Sequence, residues 1–221
     1  VVLQCLPTDL DVGAGKVFFK DRPDRGIAIE KIANGYKFPN GNTIGGQVIG
    51  RGSYAMRNLT LLDPDTGKGN PGPEWTVGAQ AVEVELNTKD YTYKIVKAAT
   101  VIDAGKVINP EFARSQITGA MSMGLSFTSR EAFLFNDKGA ILNPQFRTYK
   151  LIRYGEQPQY FVDFVETPHL EAPYGLRGIG EHGLIGMPAA LANSLTIAAG
   201  VELNHLPLTP EMIWRTIHDS V

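Results

Sequence analysis

Gly78-Ala79-Gln80-Ala81-Val82-Glu83-Val84-Glu85-Leu86 is the stretch on which the fold turns. Ala79, Ala81, Val82, Val84 and Leu86 are interleaved with Gln80, Glu83 and Glu85, a near-alternation that suits a strand with one buried face. Asn87 to Asp90 supply a turn. Tyr91 to Ile102 then bring a partner rich in β-branched and aromatic residues, which fit a pleated surface. The pair predicts a long antiparallel hairpin.

Downstream of the hairpin, Pro110 opens a helix, a position where its missing N–H costs nothing. Ile117, Ala120, Met121, Gly124 and Leu125 share one helical face. Gly119 and Gly124 each cost roughly 1 kcal/mol relative to alanine inside a helix, so they predict close packing against a backbone or a ligand. Residues 130–136 and 160–166 read as strands, separated by a polar loop holding Asn143, Pro144, Gln145, Arg147 and Tyr149. Pro188 to Ala199 reads as a small-residue helix with Gly200 at its C-cap. A last helix starts at Thr209 as N-cap, with Pro210 in its first turn.

Upstream, residues 9–20 read as a hairpin around Gly13-Ala14-Gly15. Residues 29–36 read as a short helix, 37–46 as loop and 47–55 as a strand. Asp63-Pro64-Asp65-Thr66-Gly67 and Asn70-Pro71-Gly72-Pro73 are turn signals within a long loop. Strands and helices are mixed without strict βαβ alternation. The predicted class is therefore α+β, with mixed β-sheets and helices packed on them in a two-layer α/β arrangement. Residues 1–77 read as the end of one αβ subdomain plus the long loop, and 78–221 as a second subdomain.

Composition narrows the function classes. With 221 residues, 43% hydrophobic and 20% charged, the chain is ordinary globular material. A chain this long buries roughly 70% of its unfolded surface, so it needs no disulfide or metal staple. A formal net charge of -2 gives no basic excess for a phosphate backbone, which argues against nucleic acid. One cysteine, Cys5, rules out an internal disulfide framework and fits a reducing, cytoplasmic setting. No apolar run approaches the roughly 18 residues of a membrane span. The start at Val1 has neither a methionine nor a signal-peptide pattern, which predicts a chain beginning within something larger.

Gly175-Leu176-Arg177-Gly178-Ile179-Gly180-Glu181-His182-Gly183 is the segment most suited to chemistry. Glycines this dense are entropically costly and make sense where backbone turns sharply or approaches a ligand. A helix begins a few residues later, so the loop lies near a helix N-terminus. Gly178, Gly180 and Gly183 satisfy G-x-G-x-x-G, but a dinucleotide fingerprint needs a hydrophobic strand immediately before it. Pro168 and Pro173 exclude a central strand there, and Glu181 would face a pyrophosphate with like charge. Considered alone, the segment suits a glycine-rich turn with a solvated glutamate better than a catalytic loop. His169, His205 and His218 read as surface or packing residues, while His182 adjoins Glu181. No histidine or cysteine spacing predicts a metal site.

From Gly78 onward the chain resembles the last part of the molybdopterin subunit of the xanthine dehydrogenase/aldehyde oxidase family. Gly78 to Glu85 resembles the family's long strand, Asp103-Ala104-Gly105-Lys106-Val107-Ile108-Asn109-Pro110 its D-x-G-x-x-x-N-P turn, and Gln116-Ile117-Thr118-Gly119-Ala120 its Q-x-x-G-G/A helix. Thr148-Tyr149-Lys150 resembles its T/D-Y-K segment, Leu176 to Glu181 its K-G-x-G-E loop, and Leu206-Pro207-Leu208-Thr209-Pro210-Glu211 its L-P-L-T-P-E ending. Six landmarks in family order are specific where each alone is weak. The wording of 178–183 and 187–194 is most similar to bacterial xanthine dehydrogenases.

The resemblance implies a molybdenum hydroxylase, with 78–221 as its C-terminal molybdenum-cofactor-binding subdomain. It implies a molybdenum-pterin cofactor, in the dinucleotide form, whose metal is held by the pterin and not by side chains of this chain. Glu181 occupies the place of the family's general base and Gln116 that of a cofactor-binding glutamine; Arg177, Gly178 and Gly180 complete the cofactor-binding loop. Arg177 stands where the family has lysine, and Met123 where a second glutamine often stands. Asp103 and Asn109 are expected to fix their own turn. The implied reaction hydroxylates a purine-like heterocycle of purine catabolism, such as xanthine or hypoxanthine, with water as oxygen source. An aldehyde or CO-type substrate, or a ligand-binding domain without catalysis, is the alternative. Iron–sulfur and FAD subunits or domains, and the rest of the molybdopterin subunit, are the implied partners. The isolated chain is expected to be inactive.

Overall fold

The computed structural model describes residues 2–72 and 75–219, so Pro73 of the expected Asn70–Pro73 turn lies outside the described residues. The chain divides into two compact units, Val1–Ala55 and Met56–Val221.

In the first unit, β1 (Leu10–Gly13), β2 (Lys16–Phe19) and β3 (Arg22–Ala28) form an antiparallel sheet in that order. The expected hairpin turns at Ala14-Gly15, with φ of 46° and 72°, the positive pair that matches the twist of the flanking strands. The third strand was not expected. It reaches β2 because Gly26 has no side chain: a Cβ there would sit 2.4 Å from the Val17 carbonyl oxygen. The helix expected over 29–36 is a single 3₁₀ turn, Ile29–Lys31. Gly35, at φ 94°, then reverses the chain into the short pair β4 (Tyr36–Lys37) and β5 (Thr43–Ile44). The strand expected over 47–55 does not form: Gly50 and Gly52 interrupt it, and no strand pairs with its backbone.

In the second unit, β6 (Gly78–Leu86), β7 (Tyr93–Asp103) and β8 (Gln159–Val165) form one sheet in that order. β6 and β7 are antiparallel, from Gly78 opposite Ile102 to Leu86 opposite Tyr93, with a bulge at Glu83/Val84. β7 and β8 are parallel, the chain crossing between them through α1 (Pro110–Ser129). Helices α2 (His182–Ile185), α3 (Met187–Ala199) and α4 (Pro210–Asp219) follow. Mixed strand directions with helices on the sheet give the α+β class expected.

Val82, Val84 and Leu86 pack on the core, and Glu83 and Glu85 are exposed. Gln80 lies on the same inward side, where the period of two places it with Val82, Val84 and Leu86 despite its polarity; Ala79 and Ala81 take the outward positions. Ile117, Met121 and Leu125 of α1 meet Met187, Leu191 and Leu195 of α3, all fully buried. Burying each such side chain contributes about 1.5–3 kcal/mol. Gly124 allows this approach, since a Cβ there would lie 2.9 Å from the Leu184 carbonyl oxygen. Gly119 differs: a Cβ there would meet nothing within 4 Å.

The expected caps at Gly200 and Thr209 are in place, and Asn109, expected to fix its own turn, caps α1. Asn109 Oδ1 accepts from the Phe112 N–H (3.0 Å) and Thr209 Oγ1 from the Met212 N–H (3.2 Å). Gly200 closes α3 at φ 73°. Residues 130–136 are not a strand and have only an isolated bridge, Phe135 to Ile141. The buried Asn143 side chain takes a partner strand's place. Its Oδ1 accepts from the Leu134 N–H (2.8 Å) and its Nδ2 donates to the Ala132 carbonyl (2.7 Å).

Candidate active site

The turn after β7 and the loop before α2 are locked together. Asp103 Oδ1 accepts from the N–H groups of Gly105 (3.0 Å) and Thr167 (3.1 Å). Burial would raise the Asp103 carboxyl, but these backbone donors, the Thr167 hydroxyl and the Arg177 charge outweigh it and hold the carboxyl below the usual carboxylate value. Gly105 bridges to Leu176, and the Lys106 N–H donates to the Gly175 carbonyl (2.9 Å). A Cβ on Gly105 would sit 2.4 Å from that carbonyl oxygen, so the contact requires glycine.

Arg177 completes this root. Its Nε donates to the Thr167 carbonyl (3.1 Å) and lies 3.7 Å from Asp103 Oδ1, and its Nη1 donates to the Trp75 carbonyl (3.2 Å). These contacts tie three segments with one planar fork. Gly178 accepts a long hydrogen bond from Thr76 Oγ1 (3.4 Å), and its Cα faces open space.

Beyond the root, the loop crosses α1. A cleft of about 580 Å³ opens between them, lined from α1 by Phe112, Gln116, Gly119 and Met123 and from the loop by Gly180 and Glu181. The Gln116 amide Nε2 donates to the Gly180 carbonyl at 2.6 Å. Gly183 is pressed onto α1, where a Cβ would lie 2.5 Å from the Ile117 carbonyl oxygen. Glu181 stands at the N-terminal edge of α2; its backbone carbonyl accepts from the Leu184 N–H (2.9 Å). Its carboxylate is exposed and has no hydrogen bond or ion pair among the described residues.

The structure thus brings Gln116, Gly180 and Glu181 to one cleft, while Arg177 and Gly178 stand at the loop's root. Phe112, exposed to 75%, and Met123, to 63%, line the same cleft and were not singled out as a surface. Their signal was apolar residues on the helix face opposite the core stripe. His169 Nδ1 accepts from the N–H of Ala172 (2.8 Å), and the His218 ring stacks on Trp214 at 4.5 Å.

The cleft suits a cofactor of mixed polarity. Its walls are mostly apolar, with a free carboxylate and an amide carbonyl as convergent polar groups, and Gly119 and Gly180 leave it unfilled where a Cβ would project. No group of three or more His, Cys, Asp and Glu side chains able to hold a metal occurs among the described residues. No helix among them is long and apolar enough to cross a membrane.

The sequence profile of the molybdopterin cofactor-binding domain matches residues 1–158, a span that includes Gln116 but ends before Glu181. The gamma subunit of the 6-hydroxypseudooxynicotine dehydrogenase complex of Paenarthrobacter nicotinovorans is 33% identical over 150 residues, 66% of this chain and 19% of that protein. The putative xanthine dehydrogenase molybdenum-binding subunit XdhA of Escherichia coli (strain K12) is 34% identical over 142 residues, 64% of this chain and 19% of that protein. Among solved structures, quinoline 2-oxidoreductase of Pseudomonas putida 86 superposes with a TM-score of 0.66 at 22% identity, over 99% of this chain and 27% of that one. The chain spans about a fifth of the length of the curated relatives it matches.

Proposed function

The chain belongs to the molybdopterin cofactor-binding domain family, as that region occurs in xanthine dehydrogenase/aldehyde oxidase-type molybdenum-binding subunits, and from this premise we propose that it supplies one wall of a molybdenum hydroxylase active site, with Glu181 as general base. One observation carries the reading: the Glu181 carboxylate is unbonded at the edge of a cleft that Gln116 also lines.

A general base must be free to take a proton and held within reach of it. Glu181 meets the first condition through its unbonded carboxylate and the second through the backbone bonds on either side of it. The proposed proton donor is the water that provides the oxygen of the product. Gln116, Gly180 and the bare Cα of Gly119 would bound the cofactor's place, and Arg177 and Gly178 would hold the loop that faces it. The molybdenum-pterin, in its dinucleotide form, supplies the two-electron chemistry when bound.

The proposed substrate is a flat, electron-poor heterocycle of the purine kind. Phe112 and Met123 offer an apolar wall for a planar ring, and a relative at 34% identity bears the name xanthine dehydrogenase. An aldehyde or CO-type substrate is the competing assignment within the same family. Exposed apolar residues lining the cleft, Phe112 and Met123, favour docking of the rest of the molybdopterin subunit over a free-standing binding domain. Iron–sulfur and FAD subunits or domains would carry the electrons away, in a cytoplasmic assembly.

The test uses the complete protein, a panel of purines, other nitrogen heterocycles and aldehydes, and isotopically labelled water. Label from water in the product of one substrate class supports the function and identifies the class. Label derived instead from dioxygen, or no turnover of any class by molybdenum-replete protein, overturns it.

A further inference from the structure

Gln80 is a polar residue on the inward face of β6, which it shares with Val82, Val84 and Leu86. Its Nε2 donates to Thr100 Oγ1 (2.9 Å) and to the Gly183 carbonyl (2.8 Å), with the His182 carbonyl at 3.4 Å. Two of these neighbours are backbone carbonyls, which only accept, so the nitrogen side of the amide must face them. The Oε1 side is then buried against Gly186 with no partner among the described residues. A Cβ on Gly186 would lie 2.3 Å from it, so only glycine admits the amide in this position. The neighbouring His182 Nδ1 is likewise buried without a partner among the described residues. Leaving a buried acceptor unsatisfied is costly, and the arrangement retains the contact to the loop nonetheless.

What that contact does follows from the chain order. Gln116 of α1 holds the carbonyl of Gly180, the residue before Glu181, at 2.6 Å. Gln80 of β6 holds the carbonyl of Gly183, two residues after it, at 2.8 Å. The two amides grip the peptide on either side of a glutamate whose own carboxylate is unbonded. Side-chain bonds do not fix Glu181, so its direction is set by its backbone, and the backbone is set by this clasp.

We propose that Gln80 is a positioning residue for Glu181, acting from the sheet side through the Gly183 carbonyl, with Gly186 as the space that admits it. The proposal rests on Glu181 being the base. Gln80→Met in the complete protein keeps the packing volume and removes the donor. Molybdenum content should stay normal, and exchange of the Leu184 and Ile185 amide hydrogens should accelerate. The rate of reduction by saturating substrate, per bound molybdenum, should fall about 10- to 100-fold, the scale of a 1 Å misplacement. KM should move little, and the acidic limb of the pH profile should persist because the carboxylate remains. Gly186→Ala leaves Gln80 intact but displaces its amide, and should shift the same readouts in the same direction. It keeps the test open should Gln80→Met fold poorly. Faster amide exchange with an unchanged reduction rate in either variant makes Gln80 merely structural and overturns the proposal. Glu181→Gln, run in parallel, separates the two claims. If it slows reduction and the clasp variants do not, the clasp alone fails. If it too leaves the rate unchanged, the base assignment fails with it.

Discussion

Gly183→Ala places the geometry of the loop under direct strain. The added methyl would lie 2.5 Å from the Ile117 carbonyl oxygen and 3.0 Å from the Ala120 Cβ, where ordinary contact begins at 3.4 Å. Neither neighbour is the end of a flexible side chain. Relief therefore requires α2 to lift from α1 by roughly 0.9 Å, and Glu181, the residue immediately before α2, moves with it. Overpacking of this kind costs about 1–3 kcal/mol locally, too little to unfold a large subunit. A displacement near 1 Å in a catalytic group costs on the order of 10²-fold in rate. The assay is anaerobic rapid-mixing reduction of the complete protein by substrate, normalised to bound molybdenum. Gly119→Ala is the control on the same helix pair: its methyl meets nothing within 4 Å, and alanine gains about 1 kcal/mol of helix propensity. It should keep the loop in place and alter KM before kcat, because its methyl enters the cleft. A Gly183→Ala protein with full molybdenum and an unchanged reduction rate would refute the claim that contact between α1 and α2 sets the position of Glu181.

Gln116→Ala removes the 2.6 Å bond to the Gly180 carbonyl and should cost about 1–3 kcal/mol of cofactor retention, measured as molybdenum remaining after dialysis; unchanged retention and activity would reduce Gln116 to an ordinary helix residue. The Asp103 carboxyl, held below its ordinary value of 3.8, stabilises the native loop root above that pH, and its contribution is lost as pH falls through its lower folded value. Asp103→Asn should therefore flatten the acid side of the stability-pH curve below about pH 4, the ordinary carboxylate range, followed by amide exchange of residues 175–181. An acid limb identical to wild type would show that Asp103 carries no such linkage.

How much of this was legible in the sequence depended on whether a local pattern had one physical outcome. The hairpin of β6 and β7 was legible because bulky apolar and charged residues alternate along it. What Gln80 does was not, because parity places it inward with Val82 and Val84 but no local signal names the Gly183 carbonyl it meets there. The strand expected over 130–136 was lost to a side chain: Asn143 supplies both hydrogen bonds that a neighbouring strand would have given. The parallel pairing of β7 with β8 joins residues about sixty apart, and no local signal encodes it. Caps at Asn109, Gly200 and Thr209 were legible because each satisfies backbone groups within its own turn. In the site, Glu181 and Gln116 were found by resemblance, since on physical grounds alone a glycine-rich turn with a solvated glutamate was the stronger reading. The partners of Gln80, and the cleft that Phe112 and Met123 line, became visible only once α1 and the loop were in place.

The central claim is that Glu181 takes a proton in the step that reduces the enzyme. Glu181→Gln in the complete protein keeps the size and polarity of the side chain and removes its basicity. The decisive measurement is the rate of enzyme reduction by substrate across pH, normalised to bound molybdenum, beside the rate of reoxidation. A positioned base contributes about 10²- to 10⁴-fold, or about 3–5 kcal/mol at roughly 1.4 kcal/mol per decade. The account predicts normal molybdenum content, reduction slowed by that factor, loss of the acidic limb, and unchanged reoxidation. A fully loaded variant that is reduced within about threefold of the wild-type rate, far outside the range of a lost base, would contradict it.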